Sequence, residues 1–397
     1  MTATTTRTPL DRKLQLNYRR NQQQDHTDRL DAVARDFCYA NCRDTYWQAE
    51  RFSLLYGTPL WEQASADQRR VLNHLYWVAY YSQIISAEIA TIFFNQTSAA
   101  GLYAHEGFRT ICDMLDLESS QERAHIDAFR TVARQVETEL LGEPLFTYPM
   151  RGPFTETMIF ADANRLKRRW KQLQLQAFGL LSAGNTFLAC QYFTVRGLRT
   201  LNGKLVQHQL SRFCLDDVDQ GKIDSAPIPS QISHYHFMDE SFHFNSSTLI
   251  SQEVINELPA PSAFEQQVAN LGIRGCQQDH RTFSVVINGI FWHDPALYET
   301  VYRLLRSHLF NLEDKDAKEM MRLCFTGASE GLYQSYQTHH EATTAYQAYL
   351  EPLDYVWPQN RQMSIMAKAS IDRYLATQRR ALPRFLSTHV SNQRGEH

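Results

Sequence analysis

The segment HYHFMDESFH, His234 to His243, packs three histidines and two acids into ten residues. On a helix, at about 100° per residue, His236, Glu240 and His243 fall within about 60° of one another and project from one stripe. His234 sits on the opposite face and reads as a packing or surface histidine. Such a stripe is either a metal-ligand set or a hydrogen-bonded polar seam. Asp239, not histidine, precedes Glu240, so the segment is not the HExxH of zinc proteases. Upstream, SQERAH places Glu122 and His125 at the same i, i+3 spacing as Glu240 and His243. Glu88 stands isolated in the apolar run IISAEIATIFF, where a charged carboxylate is costly to bury unless paired or metal-bound. Glu88, Glu122/His125 and Glu240/His243, in that order on separate helices, match the helix-bundle pattern that holds two irons: one Glu from each of two helices, Glu-x-x-His from the others. Carboxylates and imidazoles suit iron or manganese. Asp239 and Gln121, each just before a motif glutamate, can bond the free ring nitrogens of ligand histidines and fix their tautomers.

The pattern calls for a fourth carboxylate on the third core helix, yet no Asp or Glu lies between Asp162 and Asp216. Aligning SAEIATIFFNQ with ACQYFTVRGLR sets Gln191 opposite Glu88. A neutral amide is a far weaker ligand than a carboxylate and leaves one metal with room for water or a halide. Gln191 is then either a hydrogen-bonding filler in a remodelled site or the marker of a functional vacancy. A halide at such a vacancy can be delivered to a substrate radical, giving C–Cl in place of C–OH.

The order Glu, ExxH, HxxDExxH, preceded by YGTPLWEQASADQRR, resembles the ferritin-like di-iron oxygenases of the p-aminobenzoate N-oxygenase type. The resemblance covers roughly residues 45–250. It implies His236 as a third histidine ligand, two irons, O₂ activation, and oxidation of a small or carrier-bound substrate. With MDESFHFNSS as the most suggestive string, the chain also resembles the dimetal-carboxylate halogenases of cyanobacterial lipid and cyclophane pathways, of the cylindrocyclophane type.

The elements that must position these residues are helical. Gly (16) and Pro (13) are scarce over 397 residues, which favours long uninterrupted helices. The expected fold is all-α: a ferritin-like helical bundle with a dimetal site between four long core helices, and extra N- and C-terminal helices. Ser65 or Asp67 caps a helix through VLNHLYWVAYYSQIISAEIATIFF. A second helical stretch is EGFRTICDMLDLESSQERAHIDAFRTVARQVETELL, followed by a Pro/Gly loop over residues 142–156. One long run, ADANRLK to QHQL, comes next. DDVDQGKIDSAPIPSQ breaks it before a helix starting near Pro229 or Ser230. TFSVVINGIFW (282–292) is briefly strand-like but equally suits a buried helix. The expected organisation is a polar leader over 1–44, the di-iron core over 45–255 and a C-terminal helical extension over 256–397 packed on it.

Net charge is −3, so nothing global points to nucleic acid or an anionic membrane. The window Trp77 to Phe94 is interrupted by Ser82, Gln83, Ser86 and Glu88, so it reads as a buried helix rather than a membrane span. MTATTTRTPLDRK has no apolar core and does not read as a signal peptide. Seven cysteines without CxxC spacing read as buried free thiols in a reducing cytoplasm. RLKRRWK (Arg165 to Lys171) is either a solvated face or a docking site for an acidic acyl carrier protein. Arg196 and Arg199 are expected to pair with site carboxylates, with binding of a substrate anion as the alternative, and His339 and His340 to lie at the surface.

The leading expectation is a cytoplasmic, non-haem di-iron oxidoreductase that uses O₂ to halogenate a C–H carbon in secondary metabolism. Glu88, Glu122, His125, His236, Glu240 and His243 hold the metals; Gln191 marks the open position and Asp239 orients a ligand histidine. The cofactors are two iron ions (manganese as substitute), O₂, chloride or bromide, and an external electron donor such as a reductase or ferredoxin. The partner is a small-molecule or acyl-carrier-bound fatty acyl substrate, with homodimerisation left open. N-oxygenation of an amine, hydroxylation, and a non-catalytic dimetal protein are the alternatives, with a haem-oxygenase-like di-iron fold as the structural runner-up.

Overall fold

The computed structural model describes residues 8–146, 165–280 and 297–392, and the ambiguous segment 282–292 lies outside them. Every regular element among the described residues is helical. Four long helices form the frame: α4 (Ala66–Tyr103), α5 (Arg109–Leu141), α7 (Thr186–Asp219) and α8 (Ile228–Gln252). Around them lie α1 (Pro9–Gln23), α2 (Thr27–Arg35), the short α3 (Pro59–Gln63), α6 (Arg165–Ala183) and α9 (Ala263–His280). Further helices span Tyr298–Arg306, Asp314–Thr326, Glu330–Leu350, Pro358–Arg361 and Ile371–Asn392. No helix among the described residues is long and apolar enough to cross a membrane.

Local chemistry sets the boundaries. Ser65 caps α4 and forms a capping box with Gln68, because each side chain satisfies the other's free backbone N–H. Helix α5 ends at Gly142, whose φ of +72° is a left-handed closing conformation suited to glycine. The expected single run from Ala161 is two helices. The chain breaks at Gly184, and Asn185 restarts it by accepting the Leu188 N–H at 3.0 Å. An Asn side chain competes for backbone donors and makes a better N-cap than helix interior.

Helix α4 is buried on most of its circumference, from Leu72 to Ile85, which explains its weak amphipathic pattern. Each such apolar side chain contributes about 1.5–3 kcal/mol on leaving water. Helix α7 runs antiparallel to α4: Thr186 donates to the Gly101 carbonyl at 3.2 Å, and Tyr192 stacks on Phe94 at 5.0 Å. Helix α8 runs alongside α4 in the same direction. Trp77 Nε1 donates to the Pro229 carbonyl at 3.1 Å, and Tyr81 donates to Ser233 at 2.8 Å. Helix α1 and helix α2 pack across α5 and α8, and α9 lies on α7. The helix 330–350 also seats on α7, so closely that a Cβ at Gly197 would strike the Tyr349 hydroxyl. His339 on that helix is buried and bonds the Met366 carbonyl at 3.1 Å, which corrects its expected surface position; His340 is exposed.

The segment before α4 is fastened by His74. Its Nε2 donates to the Thr45 carbonyl at 2.8 Å, its Nδ1 accepts from Tyr39 at 3.0 Å, and Trp47 stacks on the ring at 4.0 Å. Burial pushes the His74 pKa down to about 4, against the Thr45 bond that favours the charged ring. An unfolded chain protonates this ring near pH 6.5 (roughly the free value), whereas the native chain resists until far lower. Stability is therefore complete above that range and falls as pH drops through it, by about 3 kcal/mol at the limit. Denaturant midpoints measured at descending pH should fall more steeply for the wild type than for His74→Gln.

Candidate metal centre

Two helices carry the same polar register. On α5 it is Glu118, Gln121, Glu122 and His125; on α8 it is His236, Asp239, Glu240 and His243. Both are i, i+3, i+4, i+7 stripes, which place four side chains on one helix face. The stripes face each other in the bundle interior, and Glu88 joins them from α4. Glu88, Glu122, His125, His236 and His243 are each at most 4% exposed, and Glu240 is partly buried.

The donor atoms fall into two groups. Glu88, His125, His236 and Glu240 bring one ligand atom each within 4.8 Å of one another, as do Glu122, Glu240 and His243. Glu240 is common to both. His125 Nδ1 lies 3.3 Å from Glu122 and 3.7 Å from Glu88; His243 Nδ1 lies 2.9 Å from Glu240 and 3.3 Å from Glu122. His236 points its Nε2 inward instead, 3.0 Å from Glu88 and 3.6 Å from Glu240. Its other nitrogen and the second oxygen of Glu88 are buried with no hydrogen-bond partner among the described residues.

The outer nitrogens of two rings are held by crossed bonds. His125 Nε2 donates to Asp239 on α8 at 3.2 Å, while His243 Nε2 donates to Gln121 on α5 at 2.9 Å. Each bond keeps a proton on Nε2, so Nδ1, which faces the carboxylates, is the nitrogen that would bind a metal on losing its own proton. Asp239 and Gln121 thus bond the opposite helix's histidine. The antiparallel register decides this crossing, and sequence order does not show it.

Burial pushes the Glu88 carboxyl well above the usual range, and the nearby Glu122 charge adds to this. Burial also opposes ionisation of Glu122, but the pull of His243 and bonds from His125 and His243 win and hold it well below. In His125, burial is outweighed by the bonds to Asp239 and Glu122, which raise its pKa to about 10. His236, desolvated and close to His125, is lowered to about 3. The cluster therefore holds carboxylates at very different proton affinities within one small volume. Orphaned carboxylate and imidazole atoms in a mixed O/N donor set of this kind suit iron or manganese.

Gln191 is not brought to this cluster. Its Nε2 donates to the Ala269 carbonyl of α9 at 3.2 Å, and Gly272 of α9 lies against it. The side-by-side alignment that placed it opposite Glu88 presumed equivalent positions. In the antiparallel α4–α7 pair, with Phe94 on Tyr192, Glu88 comes level with the Arg196–Arg199 turn. Arg196 is buried there, paired with Glu118 at 2.6 Å and within electrostatic reach of Glu122 and Glu240. Removing either partner strands the other in the interior, at a cost of about 3–5 kcal/mol. Arg199 reaches Asp279 instead, at 3.4 Å.

Three contributors escaped the sequence reading. Glu118, one turn before Glu122, was visible in principle as a continuation of the α5 stripe. Asn21 and His26 carried no local signal; they reach Gln121 and Asp239 from α1 and the start of α2. Among aromatic neighbours, Phe129 packs edge-on to His236 at 4.9 Å, and Tyr81 lies edge-on at 5.9 Å.

No curated protein and no solved structure matches significantly. A family model described as "Acyl halogenase CylC-like" matches residues 10–386, which takes in both stripes, Glu88 and the helices around them. With nearly the whole length matched, the chain belongs to the CylC-like acyl halogenase family.

Proposed function

We propose that the protein is an O₂-dependent, non-haem di-iron halogenase with a ferritin-like centre that chlorinates an unactivated carbon of an aliphatic or acyl-carrier-bound substrate. Glu88, Glu122, His125, His236, Glu240 and His243 would hold the two irons. When bound, iron would supply the oxidising power to open a C–H bond, with O₂ as oxidant and an external donor providing electrons. The observation that carries the halogenating reading is the unequal donor supply. One group offers four ligand residues and the other, Glu122, Glu240 and His243, offers three.

Three protein donors leave coordination positions for exogenous ligands, as in facial-triad iron sites. The helix that would complete the set with a carboxylate presents Arg196 at this level instead. No carboxylate from this helix then competes for the open positions, and the charge of the Arg196 guanidinium is balanced by Glu118. Glu118 holds that guanidinium in place, and the apolar ring of Phe129 keeps water from His236. Asp239 and Gln121 keep the Nε2 protons of His125 and His243 on the outer side, so Nδ1 is the nitrogen each ring would give to a metal.

Access for a carrier-bound acyl chain finds support on α6. Leu166, Trp170, Leu173 and Leu180 are exposed there, and the RLKRRWK sequence surrounds Trp170 with cations. An acidic carrier protein presents the complementary charge.

The iron-loaded chain, supplied with reductant, O₂ and a panel of medium-chain acyl thioesters, should give a chlorinated product by mass spectrometry only with chloride present. Bromide should shift that product to the bromo analogue. Hydroxylated or nitroso product formed equally without halide would overturn halogenation, and no organic oxidation at all would overturn the enzymatic reading. Metal analysis separates the two groups: Glu240→Ala should cut iron below one equivalent per chain, while Glu122→Ala should spare the four-donor position. Gln191→Glu should leave the halide requirement unchanged, because the new carboxylate meets the Ala269 carbonyl rather than the metals. A switch to hydroxylation in that variant would restore Gln191 as the marker of the vacancy.

A further inference from the structure

We infer that Asn21 and His26, from the first two helices, are positioning residues for the two histidines that bind through Nδ1, so that the N-terminal segment is a working part of the metal centre. The inference rests on the di-iron reading above. Asn21 and Gln121 form a reciprocal amide pair: Asn21 Nδ2 donates to Gln121 Oε1 at 3.1 Å, and Gln121 Nε2 donates to Asn21 Oδ1 at 2.8 Å. The same Gln121 Oε1 accepts from His243 Nε2 at 2.9 Å. Without Asn21, the Gln121 amide could rotate and offer its NH₂ to the ring, which would reverse the His243 tautomer. With the pair in this orientation, His243 carries a proton on Nε2 and turns Nδ1 toward Glu122 and Glu240.

His26 does the corresponding work for His125 through a different acceptor. Its backbone N–H donates to Asp239 Oδ1 at 3.2 Å, its ring Nδ1 meets the same oxygen at 3.1 Å, and His125 Nε2 donates to Oδ2 at 3.2 Å. Tyr235 stacks on the His26 ring at 5.8 Å and holds its plane. Helix α1 is itself seated on α8, with Asn17 donating to Ser246 at 2.9 Å. Every side chain between Asn21 and His243 is buried, and so are Asp239 and His125.

The two relays differ in charge. A carboxylate stands behind the His125 ring and a neutral carboxamide behind the His243 ring, and a carboxylate partner strengthens a metal-binding imidazole more than an amide does. The four-donor position, with His125, should therefore bind iron first and the three-donor position second. The exchangeable metal is the one whose ligand is tuned by Asn21.

Anaerobic titration of the full-length apoprotein with ferrous iron, followed by Mössbauer spectroscopy of the loaded chain, tests this. Wild type should bind two irons in unequal steps. Asn21→Leu should weaken the second step by about 10–100-fold and alter one quadrupole doublet, leaving the first step intact. His26→Ala should weaken the first step and alter the other doublet, and His26→Gln, which keeps a side-chain donor for Asp239, should restore much of it. Apoprotein melting temperatures verify folding; where Asn21→Leu does not fold, Asn21→Ser is the substitute, since its short side chain cannot reach Gln121. Folded variants with wild-type steps and unchanged doublets would overturn the positioning role while leaving the di-iron reading standing. A wild-type chain that takes up no iron would overturn both.

Discussion

The structure turns on the presence of several carboxylates in a space closed to water. Glu88, Glu118, Glu122 and Asp239 are each at most 4% exposed, in the interior of one helical bundle. An isolated buried carboxylate is prohibitively costly, so each must be protonated, paired or metal-bound. Glu118 is answered by Arg196, and Asp239 by three N–H donors from His26 and His125. Glu88, Glu122 and Glu240 share His125, His236 and His243 among them, which is the arrangement a divalent cation pair would complete. The aromatic packing of Trp77, Tyr81 and Phe129 walls off one side of the cluster and keeps the local dielectric low.

Helix direction converts this constraint into geometry. Because α5 and α8 run in opposite directions, the residue before each motif glutamate meets the histidine of the facing helix. Each helix therefore carries a histidine of the cluster and the ring-nitrogen partner for the histidine of the other helix. Helix α7 plays a different part. It presents Arg196, paired with Glu118, at the level of Glu88, and its remaining face is given over to α9 and the helix 330–350.

Much of this was legible in the residues. Glu88 stood out because one acid in an apolar run needs a reason, and both ExxH pairs followed from helical period. Asp239 and Gln121 were identified as ring-nitrogen partners, although not which ring each one holds. The reading of Gln191 failed in position. Comparing two helices as parallel strings ignores that packed neighbours here run antiparallel, which shifts the level of every residue. His339 was assigned to the surface for want of any knowledge of the segment around Met366 that covers it. The break at Gly184–Asn185 was missed because the apolar pattern continues through it.

By itself, the sequence determined the helical class, the six Glu and His residues of the buried cluster and the absence of acids between Asp162 and Asp216, since these depend on residue type and on spacing along one chain. Tertiary structure alone decided that Arg196 lies at the level of Glu88, that the ring supports cross between helices, and that Asn21 and His26 complete them. The physical reason is range. A helix face is set by neighbours three or four positions away, whereas register between helices, and contacts across a hundred residues or more, come only from packing the whole core at once.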